Sequence, residues 1–127
     1  MAAMMVSPVH RGPVASAPRA TTIVTLLYVG ADNCAPCQAW QVTERKQLHS
    51  LTEFARLNYR EVKSPTLRDV LNDEYWPEDL RSYRDHLGRG AGVPLWLVIS
   101  GSEVVERGFG ASQWHAAVLP RVKSLLN

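Results

Sequence analysis

Residues 21–29, Thr-Thr-Ile-Val-Thr-Leu-Leu-Tyr-Val, form a nearly unbroken apolar run rich in β-branched side chains. A strand with one wet face alternates polar and apolar residues, so a run without alternation suits a strand covered on both sides. Gly30-Ala31-Asp32-Asn33 reads as the loop that ends it. Such a strand needs packed material above and below it, which points to helices layered on a sheet. The chain has 127 residues, 46% of them hydrophobic and 20% charged, the balance of one ordinary globular domain. A domain of this size buries a modest core without disulfide staples or structural metals. Its two cysteines are therefore free for chemistry.

The rest of the chain supplies the covering layers. A helix is expected from about Ala35, where Pro36 is tolerated because first-turn N–H groups have no intrahelical partner. Cys37, Trp40, Glu44, Leu48 and Leu51 then fall on one face. Ser50-Leu51-Thr52-Glu53 has the form of a capping box, so this helix is expected to break and restart there. Residues 57–62 read as a second strand, closed by Ser64-Pro65. Thr66 is placed to cap a short helix over 67–72, and Pro77 to open another that carries Leu80, Tyr83 and Leu87 and stops at Gly88. The glycine-rich stretch 88–92 reads as a mobile loop. Residues 93–99 and 103–107 flank Gly101-Ser102 as a two-residue hairpin. Ser112 is expected to cap a last helix bearing Trp114, Ala117, Val118, Val122 and Leu125, kinked or interrupted by Pro120. The order is β-α-β-α-β-β-α, an α/β fold with a parallel first pair and no internal repeat.

Residues 1–20 lack any sustained period and are read as a flexible arm or targeting segment, with 21–127 as the domain. Ala15-Ser16-Ala17 would pass as a signal-peptide cleavage site, but no positive charge precedes the apolar start and Pro8 cuts it short. An acid-free segment with Arg and Ser also has the look of a transit peptide. Without a clear signal peptide the cytoplasm is slightly favoured. The net charge of +2 reflects Arg11 and Arg19, since no acid precedes Asp32. The remainder is formally neutral, with no basic stripe for nucleic acid. The longest apolar runs are strand-sized, far short of a membrane span.

Asn33-Cys34-Ala35-Pro36-Cys37 places two cysteines with two residues between them. Zinc needs about four ligands, and neither a second cysteine pair nor paired histidine spacing occurs among His10, His49, His86 and His115. Covalent haem attachment wants His after the second Cys, where Gln38 stands. A staple closing so short a loop gains little, although two inert buried cysteines remain an alternative. At a strand-to-helix junction, the helix N-terminus would stabilise a thiolate on Cys34. An exposed Cys34 would then attack a disulfide, and a more enclosed Cys37 would resolve the product. This chemistry resides in the sulfurs and calls for no cofactor. Trp40, one turn beyond Cys37, reads as packing beneath the site, and Glu44 as a solvated helix carboxylate.

The strand, the Cys-Ala-Pro-Cys run at a helix start, Gly92-Val93-Pro94 leading into a strand, and the Gly-Ser hairpin together resemble the thioredoxin superfamily over roughly residues 21–126. The resemblance implies a minimal thioredoxin-like fold with a helical insertion over 69–92. It implies that Pro94 is cis beside the dithiol, and that the backbone of Val93 pairs with the substrate chain. Asn33, Ala35 and Pro36 would complete the substrate-binding surface. It further implies a monomeric thiol–disulfide oxidoreductase acting on protein or small-thiol disulfides, with a separate electron donor or acceptor. Three departures qualify the likeness. Asn33 stands where thioredoxin has Trp, Ala35 where it has Gly, and Tyr28 where it has a buried acid. Cys37-Gln38-Ala39-Trp40 and Glu78-Asp79-Leu80 more loosely resemble periplasmic thioredoxin-like proteins of bacterial sulfur-oxidation systems, which would place the protein in the periplasm. The departures also leave open a non-catalytic binding module whose cysteines act as a redox switch. Glutathione-dependent chemistry of glutaredoxin type would need a carboxylate site that the sequence does not mark.

Overall fold

The computed structural model describes residues 22–127. The expected arm over 1–20, and Thr21 as the start of the first strand, lie outside the described residues. Strand β1 (Val24–Ala31) is buried at all eight positions. It pairs in parallel with β2 (Leu57–Ser64) and antiparallel with β3 (Leu95–Ser100), and β3 pairs antiparallel with β4 (Glu103–Phe109). The sheet order is β2-β1-β3-β4, so β1 has a neighbour on each side.

Alternate β1 side chains enter two different cores. Leu26 and Tyr28 pack with Trp40, Trp96, Trp114, Val118 and Val122 on one face. Leu27 and Val29 pack with Val62, Trp76, Leu80, Leu95 and Ile99 on the other. The strand also runs further than expected. Gly30 and Ala31 pair with Lys63 and Ser64 instead of forming a loop. The Asp32 N–H continues the register by donating to the Ser64 carbonyl at 2.9 Å. Ladder hydrogen bonds here outweigh the turn preference of glycine.

Helix α1 (Ala35–Val42) is followed by α2 (Glu44–Ser50), with a break at Thr43 in addition to the expected one at Leu51, where the chain is extended before it restarts at Thr52. Thr43 folds its hydroxyl back onto the Ala39 carbonyl at 2.6 Å, which satisfies the end of α1 locally. Ser50 does the same to Gln47 at 2.7 Å, so its oxygen caps nothing downstream. The tight 3₁₀ turn over Thr52–Arg56 then starts from Leu51 without a side-chain cap.

The insertion is a series of 3₁₀ turns, Leu67–Asp69, Asp73–Tyr75 and Glu78–Leu80, leading into helix α3 (Arg81–Asp85). The helix expected over 67–72 is cut to one turn. Trp76 anchors this segment, its indole N–H donating to the Val70 carbonyl at 2.7 Å. The hairpin turns at Gly101, whose φ of +65° suits a residue without Cβ.

The C-terminal helical stretch comprises Ala111–Gln113, a wide π turn over Trp114–Val118, and α4 (Leu119–Leu126). Ser112 does not cap it. Gly110 occupies the cap position, and the Gln113 side chain accepts from the Phe109 N–H at 2.7 Å. Pro120 has no N–H to give to the preceding turn, and the helix meets this by widening just before it. Trp114, Val118, Val122 and Leu126 form the buried stripe.

If β1 organises both cores, truncation there must be costly. Leu27→Ala, at a position with no exposed surface, is expected to lose about 2–5 kcal/mol in urea unfolding. Val42→Ala, on the exposed face of α1, is expected to stay within about 0.5 kcal/mol.

Candidate active site

The end of β1 delivers the chain to the site. The Cys34 N–H donates to the Ala31 carbonyl at 3.2 Å, turning the backbone sharply after the strand. The Asn33 side chain crosses to the insertion and accepts from the Leu67 N–H at 2.8 Å. Cys34 then stands at the cap of α1 in extended geometry, and its Sγ accepts from the Cys37 N–H at 3.1 Å. A helix leaves its first N–H groups without partners, and a Ser, Thr or Asp oxygen usually serves them. Here a sulfur fills that place. Electron density gained by Cys34 on reduction would meet an N–H donor and the positive end of the helix.

The two cysteines are disulfide-bonded, with Cα atoms 5.2 Å apart. The expected exposure of Cys34 is not observed, since it is 4% exposed and Cys37 is fully buried. The segment leading into β3 covers it. Val93 places its carbonyl oxygen 3.9 Å from Cys34 Sγ. The Val93–Pro94 peptide is cis, and the Pro94 carbonyl is held by the Gly110 N–H at 3.0 Å. Ala35 and Pro36 are exposed on the first turn of α1, while Pro94 is buried.

Beneath the disulfide lies Tyr28, fully buried. Its hydroxyl is directed to the Cys37 carbonyl at 3.4 Å and accepts from Gln41 Nε2 at 2.8 Å. Burial pushes the phenol up to about 12, only partly offset by the Gln41 hydrogen bond. The phenol is therefore neutral near pH 7 and serves as a hydrogen-bonding strut rather than a base. Gly30 makes room for it, because a Cβ there would sit 2.2 Å from the Tyr28 oxygen.

Directly opposite Tyr28 on β2, Glu61 accepts from Tyr59 at 2.6 Å and from Arg45 at 2.5 Å. Burial raises the Glu61 carboxyl, but these two donors outweigh it and hold it below the usual carboxylate range. Tyr59 is pushed well above an ordinary phenol, first by burial and then by Glu61.

Among solved structures, the chain is similar to thioredoxin F from spinach chloroplast in its short form, with TM-score 0.56 and 18% identity over 96% of this chain and 91% of that one. It is also similar to thioredoxin-2, described as a component of malaria parasite protein secretion machinery, with TM-score 0.51 and 19% identity over 79% of this chain and 84% of that one. The chain has the thioredoxin fold. Neither a protein-family model nor a curated protein matches the sequence.

Within that fold, Cys34, Cys37, Val93 and Pro94 come together, with Ala35 and Pro36 on the same helix turn. Asn33 is exposed beside them, and its side-chain oxygen accepts from the Leu67 N–H. Glu44 is half-buried and 3.2 Å from His115, not simply solvated. Trp40 packs as expected, its ring 4.4 Å from that of Tyr28. Gln41 was not foreseen, although a polar residue one turn beyond Cys37 on a buried face was the available signal. The Arg45–Glu61–Tyr59 cluster joins residues from two elements and left no local pattern.

Tyr28→Phe strands the buried Gln41 amide and is expected to cost about 1–3 kcal/mol in urea unfolding. A loss under about 0.5 kcal/mol would contradict the strut role. Glu61 has a folded-state value below its unfolded one, so its contribution exists above the unfolded value and is lost as pH falls through the folded one. Glu61→Gln is therefore expected to cost about 1 kcal/mol at neutral pH. The gap to wild type should close in titrations below about pH 4.

Proposed function

We propose that the protein is a thiol–disulfide oxidoreductase acting on protein disulfides, with Cys34 as nucleophile and Cys37 as resolving thiol. The observation that carries this is Cys34 at the cap of α1, its sulfur served by the Cys37 N–H at 3.1 Å and bonded to Cys37. In the reducing direction the Cys34 thiolate attacks one sulfur of a substrate disulfide. A Cys34–substrate bond forms, and the other substrate sulfur leaves as thiolate. The Cys37 thiolate then attacks Cys34 Sγ, closes the Cys34–Cys37 bond and releases the second substrate thiolate. The substrate gains two electrons and the protein pair loses two. A dithiol donor restores the pair, or the same steps run in reverse to oxidise a substrate.

The neutral Tyr28 supports an asymmetric division of labour. It offers no base to Cys37, so the proton of that thiol must leave to solvent or to a departing thiolate. The helix N-terminus and the Cys37 N–H favour the thiolate form of Cys34 instead. The Val93 carbonyl beside Cys34 supports backbone pairing with an extended substrate segment.

A second reading is a binding module in which the cysteine pair acts as a redox switch. The near-complete burial of Cys34 favours it, because the sulfur is reached only if a partner displaces or threads past its cover. The two readings separate in a dithiothreitol-driven insulin reduction assay with thiol trapping. Cys34→Ser is expected to abolish turnover, and Cys37→Ser to accumulate mixed disulfides through Cys34. Full activity of Cys34→Ser would overturn the assignment, and negligible wild-type turnover would favour the switch.

A further inference from the structure

The cover over Cys34 is a strap of irregular chain, not a helix or a strand. The Val93 carbonyl oxygen lies 3.9 Å from Cys34 Sγ, and Cys34 is left 4% exposed. Val93 follows the glycine-rich stretch 88–92. Among the described residues, the backbone of that stretch makes one hydrogen bond, from the Ala91 N–H to the Gly88 carbonyl at 3.4 Å. A Cβ placed on Gly88 or Gly90 would meet nothing within 4 Å, so the strap faces open space there.

The strap is fastened to β4 and the residue after it. Upstream, the Arg107 guanidinium donates to the Leu87 carbonyl at 3.4 Å. Downstream, the Gly110 N–H holds the Pro94 carbonyl at 3.0 Å. Between these two points the Phe109 ring lies against Gly92, so closely that a Cβ there would sit 2.6 Å from Phe109 Cε1. Arg107 and Phe109 are two residues apart on β4 and therefore point to the same side of the sheet. Ala91 and Val93 add partial burial against the core that holds Trp76 and Leu95.

Phe109 is itself 55% exposed. A single exposed apolar side chain is ordinary, but this one is seated on the residue just before the cover of Cys34. The hydrogen bonds at Leu87 and Pro94 fix the two ends of the strap and leave its middle to this ring contact. A segment held by so few contacts opens at lower free energy than the fold as a whole.

We propose that Phe109 is a positioning residue for Cys34. Its ring holds Gly92 down, keeps the Val93 carbonyl over the sulfur, and sets how often Cys34 is open to attack. This concerns access to the disulfide and does not rest on the oxidoreductase reading.

Access is read as the rate at which tris(2-carboxyethyl)phosphine reduces the Cys34–Cys37 bond in the oxidised full chain, with free thiols trapped by alkylation. The phosphine attacks Cys34 Sγ and Cys37 leaves as thiolate. Water then releases the Cys34 thiol and the phosphine oxide, so the phosphine loses two electrons and the pair gains them. Phe109→Ala is expected to raise the rate about fivefold, and Phe109→Tyr, which keeps the ring, to stay within about twofold of wild type. Gly92→Ala, whose Cβ displaces the ring, is expected to reproduce the gain. Because both act through one contact, the double variant is expected to be no faster than Phe109→Ala alone.

A general loss of stability is separated by Leu126→Ala, buried beside Val24 at the far end of β1 from Cys34. That variant is expected to be reduced within about twofold of the wild-type rate. A gain under about twofold in Phe109→Ala, an unchanged rate in Gly92→Ala, gains that multiply in the double variant, or an equal gain in Leu126→Ala would overturn the proposal. Should Phe109→Ala misfold, Gly92→Ala against Phe109→Tyr decides the same point. Failure of the protein to reduce insulin would remove the oxidoreductase reading and leave this result standing.

Discussion

Every feature of the site depends on β1 being closed in from all sides. It hydrogen-bonds to β2 along one edge and β3 along the other, and its side chains enter two separate cores. A strand held this way cannot slip by one residue without exchanging its two sets of side chains, so its register is firmly set. That fixes where the strand ends, and therefore where Cys34 begins α1. It also fixes Tyr28 beneath Cys37, three residues before the terminal Ala31. The chemistry of the cysteines is thus inherited from the packing of a strand that contains neither of them.

At the mouth of α1 two demands meet in one atom. The helix needs an acceptor for an early N–H group, and a redox cysteine needs a donor for its thiolate. Cys34 Sγ and the Cys37 N–H answer both. Below them the fold departs from an acid-assisted arrangement. Tyr28 is held neutral by burial and braced by Gln41, so it supports the Cys37 backbone but takes no proton. In the proposed dithiol, desolvation and helix electrostatics, rather than a local base, would govern how the two sulfurs share charge.

The layered fold was legible because the unalternating run at 21–29 admits few solutions, and the helix start at Ala35 because proline and the spacing of Cys37, Trp40 and Leu48 agree. The hairpin at Gly101 was legible for the same local reason. What failed were readings that gave one side chain a single use. Thr43 turned its hydroxyl back onto its own helix at a second break, and Ser50 did the same, so the expected break at Leu51 lacks its side-chain cap. Ser112 lost the cap to Gly110. Cys34 looked exposed because its cover, Val93, is supplied from 59 residues away. The tryptophans at 40, 96 and 114 come from three separate elements, and only the fold brings their rings into contact.

The central claim is that Cys34 and Cys37 form a working redox couple rather than an inert staple. Its most direct test is the equilibrium of the pair across a graded series of dithiol–disulfide buffers, read by alkylation of the free thiols. One cooperative two-electron transition is expected, with a potential of roughly −120 to −270 mV, the span of dithiol oxidoreductases. A disulfide that resists reduction below roughly −300 mV, as structural bridges do, would contradict the account.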